Sequence, residues 1–162
     1  MWNICFDILT FLKPLDNKDR VILRLLQADA RLSMNELADR CALSRTAVWR
    51  RVRELEEDGV IRGRVTRLDP ARMGFPLTVF ALVRTNQHSD EWFEKFSAAV
   101  ASIPEILEFH RTSGDLDYLL RIVARDMQDY DRVYRTLIKA VDLADVSSTF
   151  VMETIKSDTA LP

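Results

Sequence analysis

The sequence predicts an α+β fold in two parts, a helical N-terminal third followed by a larger half of mixed strands and helices. Three observations predict it. Two short amphipathic helices meet at a tight turn within residues 33–58. Proline and glycine then punctuate the chain at Asp69-Pro70 and Gly74-Phe75-Pro76. Beyond that hinge the apolar spacing switches between strand and helix periods in the order β-α-β-β-α-β, which describes a ferredoxin-like sandwich. At 162 residues, 48% hydrophobic and 30% charged, the chain has enough apolar material for two small cored domains.

The opening residues 1–14, MWNICFDILTFLKP, are apolar, but Asp7 interrupts a run too short to span a bilayer, and no basic region or small-residue cleavage site accompanies it. They read as an N-terminal extension: a short helix or arm packing on a partner, or the product of a misassigned start. The helix-turn-helix domain is expected over residues 15–61. Asp16 caps its first helix, with Val21, Ile22, Leu25 and Leu26 as the buried stripe. Met34, Leu37 and Ala38 share one face of the second helix, and Val48, Val52 and Leu55 repeat on the third. Ser44 stands where the third helix begins, and Asp58-Gly59 where it stops.

Turning Val48, Val52 and Leu55 inward leaves Arg45, Thr46, Trp49, Arg50 and Arg53 largely outward, with Arg51 among the same cluster. Guanidinium groups neutralise phosphates or grip a guanine edge, and residues near a recognition helix N-terminus come nearest the bases. Ser44, Arg45, Thr46, Trp49, Arg50 and Arg53 are therefore candidate DNA contacts; the competing reading is a solvated basic helix. Residues 62–76 are expected to form a wing or linker strand and hinge. Residues 60–67 alternate and carry β-branched side chains, so Arg62, Arg64 and Arg67 lie along phosphates or line a solvent-facing strand edge.

The domain expected over residues 77–162 has strands at 77–84, 106–112, 118–123 and 146–155 and helices at about 90–102 and 127–141. Apolar residues on both strand faces leave one sheet face to be covered by a second copy, and a two-fold dimer would set two recognition helices on successive major grooves. The formal net charge of -2 conceals an asymmetry: residues 16–67 hold twelve basic against nine acidic side chains, and residues 68–162 hold ten against fifteen. Cys5 and Cys41 have no partner spacing, which excludes a disulfide framework or zinc site and suits a reducing cytoplasm. No glycine loop for phosphates and no other catalytic constellation appears.

These residues resemble the Lrp/AsnC (feast/famine) family of transcription regulators over residues 15–162. The resemblance is carried jointly by Leu15-Asp16, Asp19, Ile22-Leu23, Glu36-Leu37-Ala38, Leu43-Ser44, Arg51-Val52, Leu55-Glu56, Gly59-Val60-Ile61, Leu68-Asp69-Pro70 and Ser113-Gly114-Asp115-Leu116-Asp117-Tyr118. Gln87-His88-Ser89, Glu91-Trp92, Ser147-Ser148, Phe150, Met152-Glu153 and Ile155-Lys156 are similar to the branch that includes cysteine-responsive regulators. The resemblance implies a winged helix-turn-helix on double-stranded promoter DNA and a ligand-binding domain that dimerises. It implies further assembly, commonly to octamers, and an amino-acid effector between dimers, without a cofactor or metal, in a cytoplasmic, nucleoid-associated protein. The effector turn it implies comprises Thr112, Gly114, Asp115, Asp117 and Tyr118, with Ser147, Ser148 and Thr149 from the last strand. Residues 141–145 read Val-Asp-Leu-Ala-Asp where relatives often carry Pro-Gly. Two rivals stand beside this reading. One is a tetrapyrrole-binding decarboxylase-like relative using His110 and Arg111, since His88 and His110 are the only histidines. The other is an amino-acid sensor whose helix-turn-helix no longer binds DNA.

Overall fold

Asp16 and Asp19 close the first helix start reciprocally: the Asp19 N–H donates to Asp16 Oδ1 at 2.8 Å and the Asp16 N–H to Asp19 Oδ2 at 3.2 Å. The computed structural model describes residues 14–162; the predicted extension lies, through residue 13, outside them. Helix α1 runs over Asn17–Ala28. Helix α2, Met34–Cys41, has the same device, Ser33 with Glu36. Helix α3, Arg45–Glu57, starts on Ser44, whose Oγ accepts the Ala47 N–H at 3.2 Å. Each cap satisfies backbone donors a helix start leaves free. Lys18 donates to the Cys41 carbonyl at 2.7 Å, placing a cation on the negative end of α2. Ala42, at φ 51, takes the left-handed turn into α3. Ile22, Leu37, Val48, Val52 and Leu55 meet in one core, with Cys41 packed among them as a small apolar side chain.

After α3, Gly59 takes φ 72, and the Ile61 N–H turns back to the Leu55 carbonyl at 2.9 Å. The strand expected over residues 60–67 does not form: these residues carry no regular structure. Their alternating pattern suits a pleated surface, but a strand exists only beside a partner, and none lies along it among the described residues. Of the described residues, 14–66 group with Ser157–Pro162 as one unit, and Arg67–Lys156 form a second. The terminal segment thus lies with the helical unit, although its sequence position falls in the C-terminal domain. Leu161 donates its N–H to Gln27 Oε1 at 2.6 Å and accepts from Gln27 Nε2 at 3.3 Å.

The second unit comprises β1 (Leu77–Arg84), α4 (Asp90–Ala101), β2 (Ile106–Arg111), β3 (Tyr118–Ala124), α5 (Met127–Ala140) and β4 (Asp145–Phe150). The sheet order is β2-β3-β1-β4 with antiparallel neighbours. Val79, Ala81, Val83, Leu120 and Ile122 pack against Phe96, Val133 and Leu137 of the two helices. The last strand ends at Phe150, short of the expected residue 155. The Val151 N–H still reaches the Thr78 carbonyl at 2.9 Å, but β1 begins at Leu77 behind Pro76, which has no N–H to offer. No helix among the described residues is long and apolar enough to cross a membrane.

Asp129, buried on α5, accepts from Arg125 Nε and Nη2 at 3.1 and 3.0 Å and from Arg132 Nε and Nη2 at 3.1 and 3.0 Å. These guanidinium bonds, Arg125's first, hold its carboxyl far below the ordinary carboxylate range. A depressed folded pKa adds stability that is present above the unfolded value of 3.8 and is lost as pH falls through the folded one. Urea unfolding of wild type and Asp129→Asn is accordingly expected to differ at pH 6 and to converge as the medium is acidified well below the usual carboxylate pKa of about 4. A gap that stays constant across that range would contradict this reading.

Candidate DNA interface and effector-binding end

Helix α3 separates its faces sharply. Val48, Val52 and Leu55 are buried, whereas Arg45, Thr46, Trp49, Arg50 and Arg53 are exposed, as is the capping Ser44. The arginines are not equivalent. Arg50 lies 3.6 Å from Glu54, and Arg53 donates to Glu57 at 2.7 Å, while the Arg53 guanidinium sits over the Trp49 ring at 5.4 Å. Arg45 has no carboxylate partner among the described residues. Exposed helical ion pairs contribute at most about 0.5 kcal/mol, so phosphate oxygens can displace Glu54 and Glu57. The Arg-x-x-x-Glu spacing at 50–54 and 53–57 was the sequence signal for these partners.

Arg51 departs from the cluster the sequence suggested. One nitrogen, Nη1, donates to Asp16 Oδ2 and to Asp19 Oδ1, both at 2.7 Å, with the side chain only 23% exposed. At four-residue spacing it falls between the buried and open faces, and the two α1 carboxylates take it inward. It ties α3 to α1 and is not a free cation. Arg62 is exposed, and Arg64 donates to Glu56 at 3.2 Å; neither sits on a wing strand.

In the second unit the turn between β2 and β3 is closed by the Thr112 N–H on the Asp117 carbonyl at 2.9 Å and by Thr112 Oγ1 on the Leu116 carbonyl. Gly114 takes φ 122, a conformation side-chain-bearing residues rarely adopt. Asp117 fastens this turn to the end of β1: its N–H donates to Val83 O at 3.0 Å and its Oδ2 accepts the Thr85 N–H at 2.8 Å. Asp115 is exposed and unbonded among the described residues. Tyr118 is core, ringed by Trp92, Phe96 and Phe109, and burial pushes its hydroxyl pKa up.

Ser147, Ser148 and Thr149 do not share a surface, because successive strand residues point to opposite faces. Ser148 turns to the helices and bonds the Tyr130 hydroxyl. Ser147 and Thr149 lie opposite Leu82 and Phe80 on the open sheet face. The loop at 141–145 nevertheless flanks the same end of β1 as the Gly114 turn, the Ala144 N–H reaching Arg84 O at 2.9 Å. Arg84, which sequence reasoning passed over, is exposed at that end and has no carboxylate partner among the described residues. A cavity of about 670 Å³ lies between α1 and residues 60–64, and one of about 340 Å³ between the start of α4 and the end of α5; the turn lines neither. On β2, His110 stands 3.2 Å from Glu108 on the open face, and its strand neighbour Arg111 points the other way, so the pair does not converge on one ligand.

The chain matches two family descriptions in succession: a winged helix-turn-helix DNA-binding domain over residues 15–62 and an Lrp/AsnC ligand binding domain over residues 78–161. It is 45% identical over 149 residues to the DNA-binding transcriptional activator DecR of Escherichia coli K12, covering 91% of this chain and 98% of that one. The crystal structure of an AsnC family transcriptional regulator from Agrobacterium tumefaciens superposes with a TM-score of 0.86 at 49% identity, covering 91% of this chain and 97% of that one. The transcriptional regulator NMB0573 of Neisseria meningitidis, crystallised as a complex with L-Met, superposes with a TM-score of 0.85 at 35% identity over 92% and 97% of the two chains. Named regulators matching nine-tenths of the chain, together with the divergent His110 and Arg111, remove the tetrapyrrole enzyme reading. The chain belongs to the Lrp/AsnC family of DNA-binding transcriptional regulators and is not an enzyme.

Proposed function

We propose that α3 is the recognition helix, that Ser44, Arg45, Thr46, Trp49, Arg50 and Arg53 contact promoter DNA, and that Arg62 and Arg64 lie along adjacent phosphates. The observation that carries this is the division of α3 into a packed apolar face and an open face of arginines flanking one tryptophan. The protein acts in the cytoplasm, where promoter DNA is organised as nucleoid. A homodimer forms through the open sheet face, where Phe80, Leu82 and Leu119 are only half-buried by their own chain. Dimers assemble further, to an octamer, so that several weak half-site contacts act together.

A small amino acid serves as effector, with no further cofactor. It binds at the end of β1 between dimers, using Thr112, Gly114, Asp115, Asp117 and the backbone at Tyr118, with Ser147 and Thr149 as neighbours and Ser148 supporting from behind. Asp115 suits an α-ammonium group and Arg84 an α-carboxylate. The L-Met in the meningococcal relative favours a sulfur-containing or apolar amino acid, and the branch resemblance puts cysteine first. Effector binding alters the assembly and hence which half-sites are held at once.

A gel shift with DNA upstream of the protein's own gene tests the DNA reading. A complex at low salt that dissolves as salt rises is expected; no shift at low salt would leave a sensor whose helix pair is scaffold. For the effector end, cysteine or methionine is expected to raise the melting temperature of wild type, since a ligand of the native state stabilises it. Asp115→Ala is expected to abolish that rise while DNA affinity is unchanged. A rise of equal size in the variant would discard the assignment.

A further inference from the structure

We propose that Trp49 is the side chain through which α3 selects thymine, its indole packing against the 5-methyl group of one thymine per half-site in the major groove. This rests on α3 being the recognition helix, and goes beyond it by naming the base. Trp49 is 51% exposed on a helix whose other large apolar side chains, Val48, Val52 and Leu55, are all buried. Among the described residues its one ring contact is the Arg53 guanidinium, 5.4 Å from the ring centre. It is not part of the core of its own unit. It also lies four residues past Arg45, about 6 Å along the helix axis, within the N-terminal turns that approach base edges.

The chemistry of the indole narrows what it can read. It has a single N–H donor and no acceptor, so it cannot form the paired hydrogen bonds by which arginine recognises guanine or asparagine recognises adenine. What it offers is a broad apolar surface. Among the groups the four bases present in the major groove, the thymine methyl is the apolar one. The neighbouring charged side chains divide the work accordingly. Arg50 and Arg53 are long, exposed cations held by exchangeable carboxylates, suited to phosphate or guanine. Arg53 over the ring further limits the indole's freedom, so less order remains to be imposed when it meets the base.

The test uses the full chain. Wild-type protein enriches binding sites from a random-sequence duplex library, and an enriched duplex is resynthesised with deoxyuridine replacing one thymine at a time. The substitution deletes the methyl group and leaves base pairing intact. Wild type is expected to lose about three- to fivefold in affinity at one thymine per half-site, the scale of one buried methyl. Trp49→Ala, whose melting temperature should match wild type because Trp49 is outside the core, is expected to bind more weakly but to treat uracil and thymine alike there. A wild type indifferent to every substitution, or a Trp49→Ala protein that keeps the same uracil penalty, would overturn the proposal while leaving α3 as a DNA-binding helix. Failure to enrich any duplex would overturn both readings together.

Discussion

Arg51→Ala is expected to destabilise the α1–α3 unit by about 2–3 kcal/mol and to leave the salt dependence of DNA binding unchanged. Both effects follow from where the side chain goes. Its Nη1 meets Asp16 and Asp19 at 2.7 Å each, and the Asp19 side chain is only 12% exposed. Removing the guanidinium strands a carboxylate that water reaches poorly, and it loosens a capping box whose own partners are these two residues. The figure sits below that for a wholly buried pair because Asp16 remains 49% exposed and can rehydrate. Were Arg51 a phosphate contact instead, stability would hardly change and the slope of log K against log salt would fall by about one. Urea unfolding and a salt titration of the same variant separate the two accounts.

Phe96→Ala should have the largest effect on the second unit, about 3–5 kcal/mol. Phe96 is fully buried on α4, with Trp92, Phe109 and Tyr118 centred 5.0, 5.3 and 5.4 Å from its ring. Those neighbours come from the same helix and from two strands, so they cannot all close on the space left behind. A loss of that size is a large part of the stability of an ordinary domain. Hydrogen exchange should show amides in β1 and β3 losing protection while those in α2 and α3 keep theirs, because Ile22, Leu37, Val48 and Val52 form a separate core. Equal loss of protection in both cores would contradict that separation.

Which features could be read in the residues, and which could not, follows from the range of the interactions. The caps at Asp16 and Ser44 are local, each joining residues three apart, and the starts of α1 and α3 were legible from them. The order of strands and helices after Pro76 was legible because each element carries its own period. Arg51 was not: its partners lie 32 and 35 residues away on another helix, and its angular position allowed either face. Residues 60–67 carry a strand's pattern without a strand's partner, and pattern cannot supply the partner. The end of β4 depended on where β1 starts, which no residue of β4 encodes. At the proposed effector end the Gly114 turn was legible as a turn, while the placement of Arg84 beside it came only from pairing of β1 with β3.

If the open face of α3 meets DNA as proposed, its charge makes the contact measurable. A labelled promoter duplex is titrated with wild type and with an Arg50→Ala, Arg53→Ala double variant across a series of salt concentrations, following fluorescence anisotropy. Log affinity of wild type should fall linearly with log salt. The double variant should bind more weakly, by about 1–3 kcal/mol for each guanidinium removed, with a slope shallower by about two. Identical affinities and slopes for the two proteins would contradict the account.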